Sequence, residues 1–234
     1  MIPLDQIVYD IKMLMSGEEY SDDNALDNRQ IRFWIKTQRA VLIRNELNKN
    51  RTIDPDIIQN LGCISLIVAD RAECCNLSSD CTILKTNIDI PSPIELHHQV
   101  AITRVGPIDL LAKAFSFVPY QQAVFSGNGR FTQNEYFAYY INKRIYIKVR
   151  FDKSLKIGIN KINVQGVFED PEEASAFKLC SGEPCYTSSS SYPIKGWMID
   201  YMKNQIINSN VKLINMIPSD KTNDAKISNT GVKA

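Results

Sequence analysis

Six cysteines and two histidines are the residues of this 234-residue chain with the most chemical potential. Cys74-Cys75, Cys81 and the later pair Cys180 and Cys185 have the donor chemistry for a tetrahedral thiolate zinc site. Their spacing fits poorly: adjacent cysteines rarely ligate one ion together, and the chain contains no CxxC. The opening MIPLDQIVYDIKMLM is broken by Asp5, Lys12 and Asp10, which excludes a signal peptide and implies synthesis in a reducing compartment. Buried thiols acting as small hydrophobes are therefore expected, rather than disulfides or a zinc centre. His97-His98 stands at the mouth of an expected strand, where neighbouring side chains point to opposite faces, so the pair does not converge on one metal or one reaction. SGNGRF (126–131) lacks the third glycine and the strand-to-helix setting of a nucleotide loop. No nucleophile elbow, Walker sequence or paired-carboxylate signature is present, and the reading is a non-enzyme without a cofactor.

Charge offers a different kind of site. Residues 27–51 carry Arg29, Arg32, Lys36, Arg39, Arg44, Lys49 and Arg51 against one acid inside the helix, Glu46, whereas the whole chain is only +1. At about 100° per residue, Arg29, Arg32, Lys36 and Arg39 share an arc of roughly 80°, one stripe opposite the apolar face. Like charges at this spacing repel, so an acidic counterpart is expected. Residues 1–28 hold Asp5, Asp10, Glu18, Glu19, Asp22, Asp23 and Asp27 against Lys12 alone. Pairing within one subunit, pairing between subunits through Glu18, Glu19, Asp22 and Asp23, and docking on an acidic partner or DNA all remain open at this level.

The elements that would position these groups can be read from periodicity. Leu4, Ile7, Val8, Ile11, Leu14 and Met15 predict a helix over 4–16, and Asp27 is the expected N-cap of a second helix with Gln30 three residues on. That second helix is expected to bury Ile31, Trp34, Ile35, Gln38, Val41 and Leu42. A short helix is expected from Asp54 to a stop at Gly62. Strands are expected in 63–70, 81–86, 98–105, 113–120, 136–141, 145–151 and 156–168, and helix again over 193–214 with Trp197, Tyr201 and Ile206 inward. The fold class is α+β: a helical bundle from the N- and C-terminal helices with a central antiparallel β-rich region. The expected divisions are 1–62, 63–190, 191–217 and a flexible tail at 218–234, too polar to order itself. No apolar run is long enough to span a membrane.

The hairpin YFAYYINKRIYIKVRF interleaves Tyr139, Tyr140 and Tyr146 with Lys143, Arg144, Lys148 and Arg150, as single-strand nucleic-acid platforms do. A sheet with one buried aromatic face gives the same pattern. A nucleic-acid-binding accessory protein, using the basic helix and this hairpin, is thus the alternative function.

The helix, the acidic loop and DNRQIRFWIKTQRAVLIRNELNKNRTIDPDIIQNLG together resemble the head–tail connector (adaptor or ring) proteins of short-tailed bacteriophages, in particular the ring proteins of crAss-like phages. Ile31, Trp34, Ile35, Arg39, Ala40, Ile53, Asp54, Ile57 and Gln59 carry the likeness, with RAECCNLSSDC and YPIKGWMIDYMKNQI further along. The resemblance implies a structural virion protein, assembled in the host bacterial cytoplasm. It would be a subunit of a closed ring, commonly a dodecamer, that docks below the portal protein and meets neighbouring tail or ring proteins. Passing double-stranded DNA would be contacted without sequence preference.

Overall fold

The computed structural model describes residues 2–16, 27–49, 52–69, 82–123, 125–126, 135–149 and 159–211. Helix α1 spans Leu4–Ser16 and α2 spans Asn28–Asn48. Asp27 caps α2 as expected, but its carboxylate accepts from the Arg29 N–H, one residue earlier than the capping box with Gln30 requires. The helix foreseen from Asp54 is a single 3-10 turn, Pro55–Ile57. The chain then enters the sheet as β1 (Gln59–Asn60) and β2 (Ile64–Val68). Gly62 is therefore no helix stop. Its φ of +67° lets the chain turn between β1 and β2, and a Cβ there would run into the Lys178 carbonyl.

The remaining strands are β3 (Thr82–Thr86), β4 (Ile102–Pro107), β5 (Ser116–Phe117), β6 (Phe137–Ile141), β7 (Arg144–Val149) and β8 (Lys161–Gly166). A one-turn helix α3 (Tyr120–Ala123) follows β5, and α4 (Gly196–Ile206) closes the described fold, continuing as a π-helical stretch to Val211. β6 and β7 form the anticipated hairpin, with positive φ at Asn142 and Lys143, the turn whose twist matches that of its strands.

The strands run in the order β1-β8-β2-β3-β7-β6-β5, with β4 also on β8. One edge of β8 takes β1 and then β2; β4 occupies the other edge along Ile102–Pro107. The sheet curls until its two ends meet, where the Phe115 N–H donates to the Val105 carbonyl at 2.8 Å. Such curling leaves less open backbone edge for unwanted pairing.

Helices and sheet share one core. Ile7 and Ile11 of α1, Ile31 and Ile35 of α2, and Met202 and Ile206 of α4 pack in the same cluster as Val105, Ile147, Val164 and Phe168. The structure is thus a mixed α+β chain in which α2 contacts both α4 and α1. A second, smaller cluster of Ile83, Ala123, Tyr139 and Tyr146 fills the outer face of the hairpin under α3.

Three burial expectations change. Trp197 and Tyr201 lie more than half exposed, because α4 turns Met198, Ile199, Met202 and Ile206 inward instead. Leu14, near the end of α1, is exposed as well. In α2 the inward residues are Ile31, Trp34, Ile35, Arg39, Ile43 and Leu47, while Val41 faces solvent.

Gly62→Ala should destabilise the fold by roughly 1–3 kcal/mol through backbone strain, with the steric clash adding to it. Gly182 also has positive φ but open space around it, so Gly182→Ala should cost less. Urea unfolding of the two variants side by side measures the difference.

Candidate functional site

The basic stripe of α2 does not stay on one surface. Ile31, Trp34 and Ile35 face the core in the first half of the helix. Arg39, Ile43 and Leu47 follow at four-residue steps, each turning the face by about 40°, so the buried sector rotates by roughly 130° along the helix. The rotation carries Arg39 inside, where it is completely buried. This corrects its expected place on the solvent stripe. Its Nε donates to the Pro193 carbonyl at 2.8 Å and its Nη1 to the Phe168 carbonyl at 2.7 Å. The guanidinium carbon stands 5.6 Å from the Tyr192 ring centre, a cation–π arrangement. Burial pulls the Arg39 pKa below its usual value, yet arginine keeps its proton in proteins. The same apolar setting pushes the Tyr186 hydroxyl up to about 12 and the Tyr192 hydroxyl higher still.

Its neighbours on the stripe meet Asp5, one of the expected acidic counterparts, and two acids from far along the chain, Asp170 and Glu172. Lys36 Nζ lies 2.6 Å from Asp170, a contact that raises the lysine pKa. Arg32 bridges Glu172 at 2.9 Å and Asp5 at 2.6 Å. Asp170 also caps the 3-10 turn Pro171–Ala176 by accepting from the Glu172 N–H, which fixes its carboxylate for Lys36. The signal for these partners was present as EDPEE (169–173), four acids in five residues. Glu172 and Asp170 lie 140 and 134 residues from Arg32 and Lys36, a separation at which spacing along the chain gives no pairing. Of that segment, Asp5 pairs with Arg32, and Asp10 pairs with Lys203 of α4 at 2.6 Å. Glu18, Glu19, Asp22 and Asp23 lie outside the described residues.

Two stripe residues keep to the outside. Arg29 and Arg44 are exposed, and among the described residues neither guanidinium has an ionic partner. Phe33 (57% exposed) and Val41 (46%) stand between them, and the four fall within an arc of about 120°. The outward face of α2 is therefore cationic at both ends and apolar in the middle.

The other candidates disperse. Cys63 and Cys180 are paired as a disulfide with Cα atoms 5.2 Å apart, against the expectation of free thiols. They are 117 residues apart in sequence and are brought together when the Cys63 N–H donates to the Lys178 carbonyl. Cys185 is free, and burial pushes its thiol up to about 11, away from the thiolate a metal would need. Cys74, Cys75 and Cys81 lie outside the described residues. His97 and His98 are exposed in a turn between Glu95 and Val100, before β4 rather than in it. Most of SGNGRF lies outside the described residues. The hairpin is no open stacking platform: Tyr139 and Tyr146 stack on each other at 5.4 Å inside the smaller cluster. Lys148 is buried and donates to the Ala123 and Ser126 carbonyls.

Among the described residues no three or more metal-ligating side chains converge, and the outward face of α2 is cationic and apolar. A family model described as phage tail ring protein 2 matches residues 6–230. The chain belongs to this family of crAss-like phage ring proteins. A search of curated proteins finds no match. Membership makes the ring protein a structural component of the phage tail, and no helix among its described residues is long and apolar enough to cross a membrane.

Two outcomes follow for the ring protein's internal ion network. Arg39→Met should cost on the order of 3 kcal/mol, because two buried carbonyls lose a charged donor. Arg32→Met should cost under about 1 kcal/mol, since its pairs are half exposed; thermal melts of both variants check the contrast. Asp10 is held below its ordinary pKa first by its hydrogen bond to Lys203, with Gln6 helping and burial opposing. A depressed carboxylate stabilises the fold fully above its unfolded pKa of about 4. That contribution is lost as pH falls through the lower folded value. Melting temperature recorded from pH 6 down to pH 2 should therefore fall less steeply for Lys203→Met than for the wild type.

Proposed function

We propose that this ring protein is a subunit of a closed, twelvefold head–tail connector ring that docks below the portal protein and extends the DNA channel toward the tail. It assembles in the host bacterial cytoplasm and remains in the virion. Its role is structural, without hydrolase activity. Family membership supports the ring; the outward face of α2 is the observation that supports how subunits meet.

A closed ring needs two different, complementary patches on opposite flanks of each subunit. Internal pairing already occupies Arg32, Lys36 and Arg39, which leaves Arg29 and Arg44 with Phe33 and Val41 between them. This is a small apolar centre between two cations, suited to an acidic counterpart. Glu18, Glu19, Asp22 and Asp23 of the adjacent subunit, or an acidic surface of the portal, supply that chemistry. DNA passing through the channel would meet only weak, salt-sensitive and sequence-indifferent contacts.

The double variant Arg29→Glu/Arg44→Glu tests the contact. Both residues are exposed, so its melting temperature should stay close to the wild type. Native mass measurement with portal protein present should show the ring lost. Restoration by Glu18→Arg/Glu19→Arg would identify an inter-subunit pair, and failure to restore would point to the portal. Normal rings from the double variant would exclude this face as the contact.

A further inference from the structure

The connection between β4 and β5 exposes its apolar side chains while being held in one shape. Ile108 (42% exposed), Leu110 (54%) and Leu111 (97%) point outward over four residues. Arg104 Nη2 donates to three carbonyls of the same loop: Asp109 at 3.2 Å, Leu110 at 3.2 Å and Ala112 at 3.0 Å. The Asp109 carboxylate accepts from the Leu111 N–H at 2.9 Å, and the Ala112 N–H donates to the Asp109 carbonyl.

Two local features give Arg104 this reach. A β-bulge between Ile102 and Arg104 breaks the alternation of β4, so that Ile102 and Val105, three apart, both turn inward. Gly106 leaves the guanidinium its room, since a Cβ there would approach Arg104 to 3.4 Å and the Ala114 Cα to 3.2 Å. A loop fixed in this way has already lost the conformational freedom that binding would otherwise cost.

The other end of the same strand pair offers a receptor. Phe115 bonds beside Val105, so the returning chain reaches Phe117 and Tyr120 at the end of β4 opposite the loop, roughly 20 Å away at strand spacing. There Leu96, His97, Val100, Phe117, Tyr120 and Tyr140 line a groove of about 340 Å³. Its wall is the turn in which the Leu96 N–H donates to the Gln99 carbonyl. The lining mixes half-buried apolar side chains, Leu96, Val100, Phe117 and Tyr140, with the exposed Glu95, His97 and His98. The loop flanks its leucines with Asp109 and Lys113. Asp109 can thus meet the imidazoles when loop and groove engage, while Lys113 is held by Glu135 of its own subunit at 2.9 Å.

We infer that the Leu110–Leu111 loop of one subunit seats in the groove between residues 95–100 and 117–121 of the next copy in the ring. This deepens the ring reading and rests on it. A second copy is the occupant because one chain carries both halves at opposite ends of one strand pair, which is what a head-to-tail contact requires. A contact with a different protein would need only one of the two.

A photo-crosslinking amino acid placed at position 111 of the full chain, in assembled rings and in tails from infected cells, tests the inference. The expected product joins two copies, with residue 111 attached within 95–100 or 117–121. Leu110→Ser/Leu111→Ser should keep the wild-type melting temperature while weakening each interface on the order of tenfold or more. Adducts to another virion protein, adducts elsewhere on this chain, no adducts, or unweakened rings from the double-serine variant would each overturn it. Wild-type chain that forms no ring by native mass measurement would bring down the proposed function as well. A normal ring with its adducts elsewhere would remove only this inference.

Discussion

The buried guanidinium of Arg39 is the point on which the described fold converges. It leaves the middle of α2 and reaches two carbonyls far apart in sequence, Phe168 just after β8 and Pro193 just before α4. An arginine in an apolar core is tolerable only when its charge is stabilised by hydrogen bonds and nearby π-faces. Here two carbonyls and the Tyr192 ring supply that stabilisation, and any shift of the three segments would strand the charge. Arg39 therefore does more than hold α2 in place; it sets where the sheet ends relative to both helices. Arg32 and Lys36 continue the same contact outward to Glu172 and Asp170, at exposures where each pair contributes little alone.

That junction also organises the surface. Once Arg32, Lys36 and Arg39 are drawn toward residues 168–172 and the core, α2 presents Arg29, Phe33, Val41 and Arg44 outward. The sheet behaves in a similar way. Its curl brings β5 back to β4, and the joint carries the Arg104-held loop at one end and the groove lined by Phe117 and Tyr140 at the other. For a family of ring proteins, such pairs of unlike surfaces on one chain are the geometric condition for closure. The aromatic hairpin, by contrast, spends Tyr139 and Tyr146 on each other, because a cross-strand pair under α3 buries more ring surface than an open platform would.

Much of this was legible in the residue order. Periodicity located α1 within its observed bounds, and Asp27 marked the start of α2. The alternation of β-branched and aromatic residues located β2, β3, the β6–β7 hairpin and β8. These are local signals, decided by side chains a few positions apart. The helix textures and the flanking motifs also resembled the family that the match over residues 6–230 establishes.

What the sequence by itself determined was the type of the longer elements and the family, because both are encoded in short-range pattern. Tertiary structure alone decided which face each element turned inward. The α2 stripe looked continuous at 100° per residue, but the core contacts rotate along the helix, so Arg39 went in while Val41 stayed out. Trp197 and Tyr201 share a helix face, yet Met198, Ile199, Met202 and Ile206 are the residues that meet α2 and the sheet. The same holds for pairs distant in the chain: Lys36 with Asp170, Cys63 with Cys180, and the loop at 108–112 across its strand pair from the groove at 95–100. Such partners are chosen by where the folded backbone brings them. No spacing along the chain records that, so the residues carrying the ring protein's surface chemistry could be named from sequence only by type, and were assigned their places by the fold.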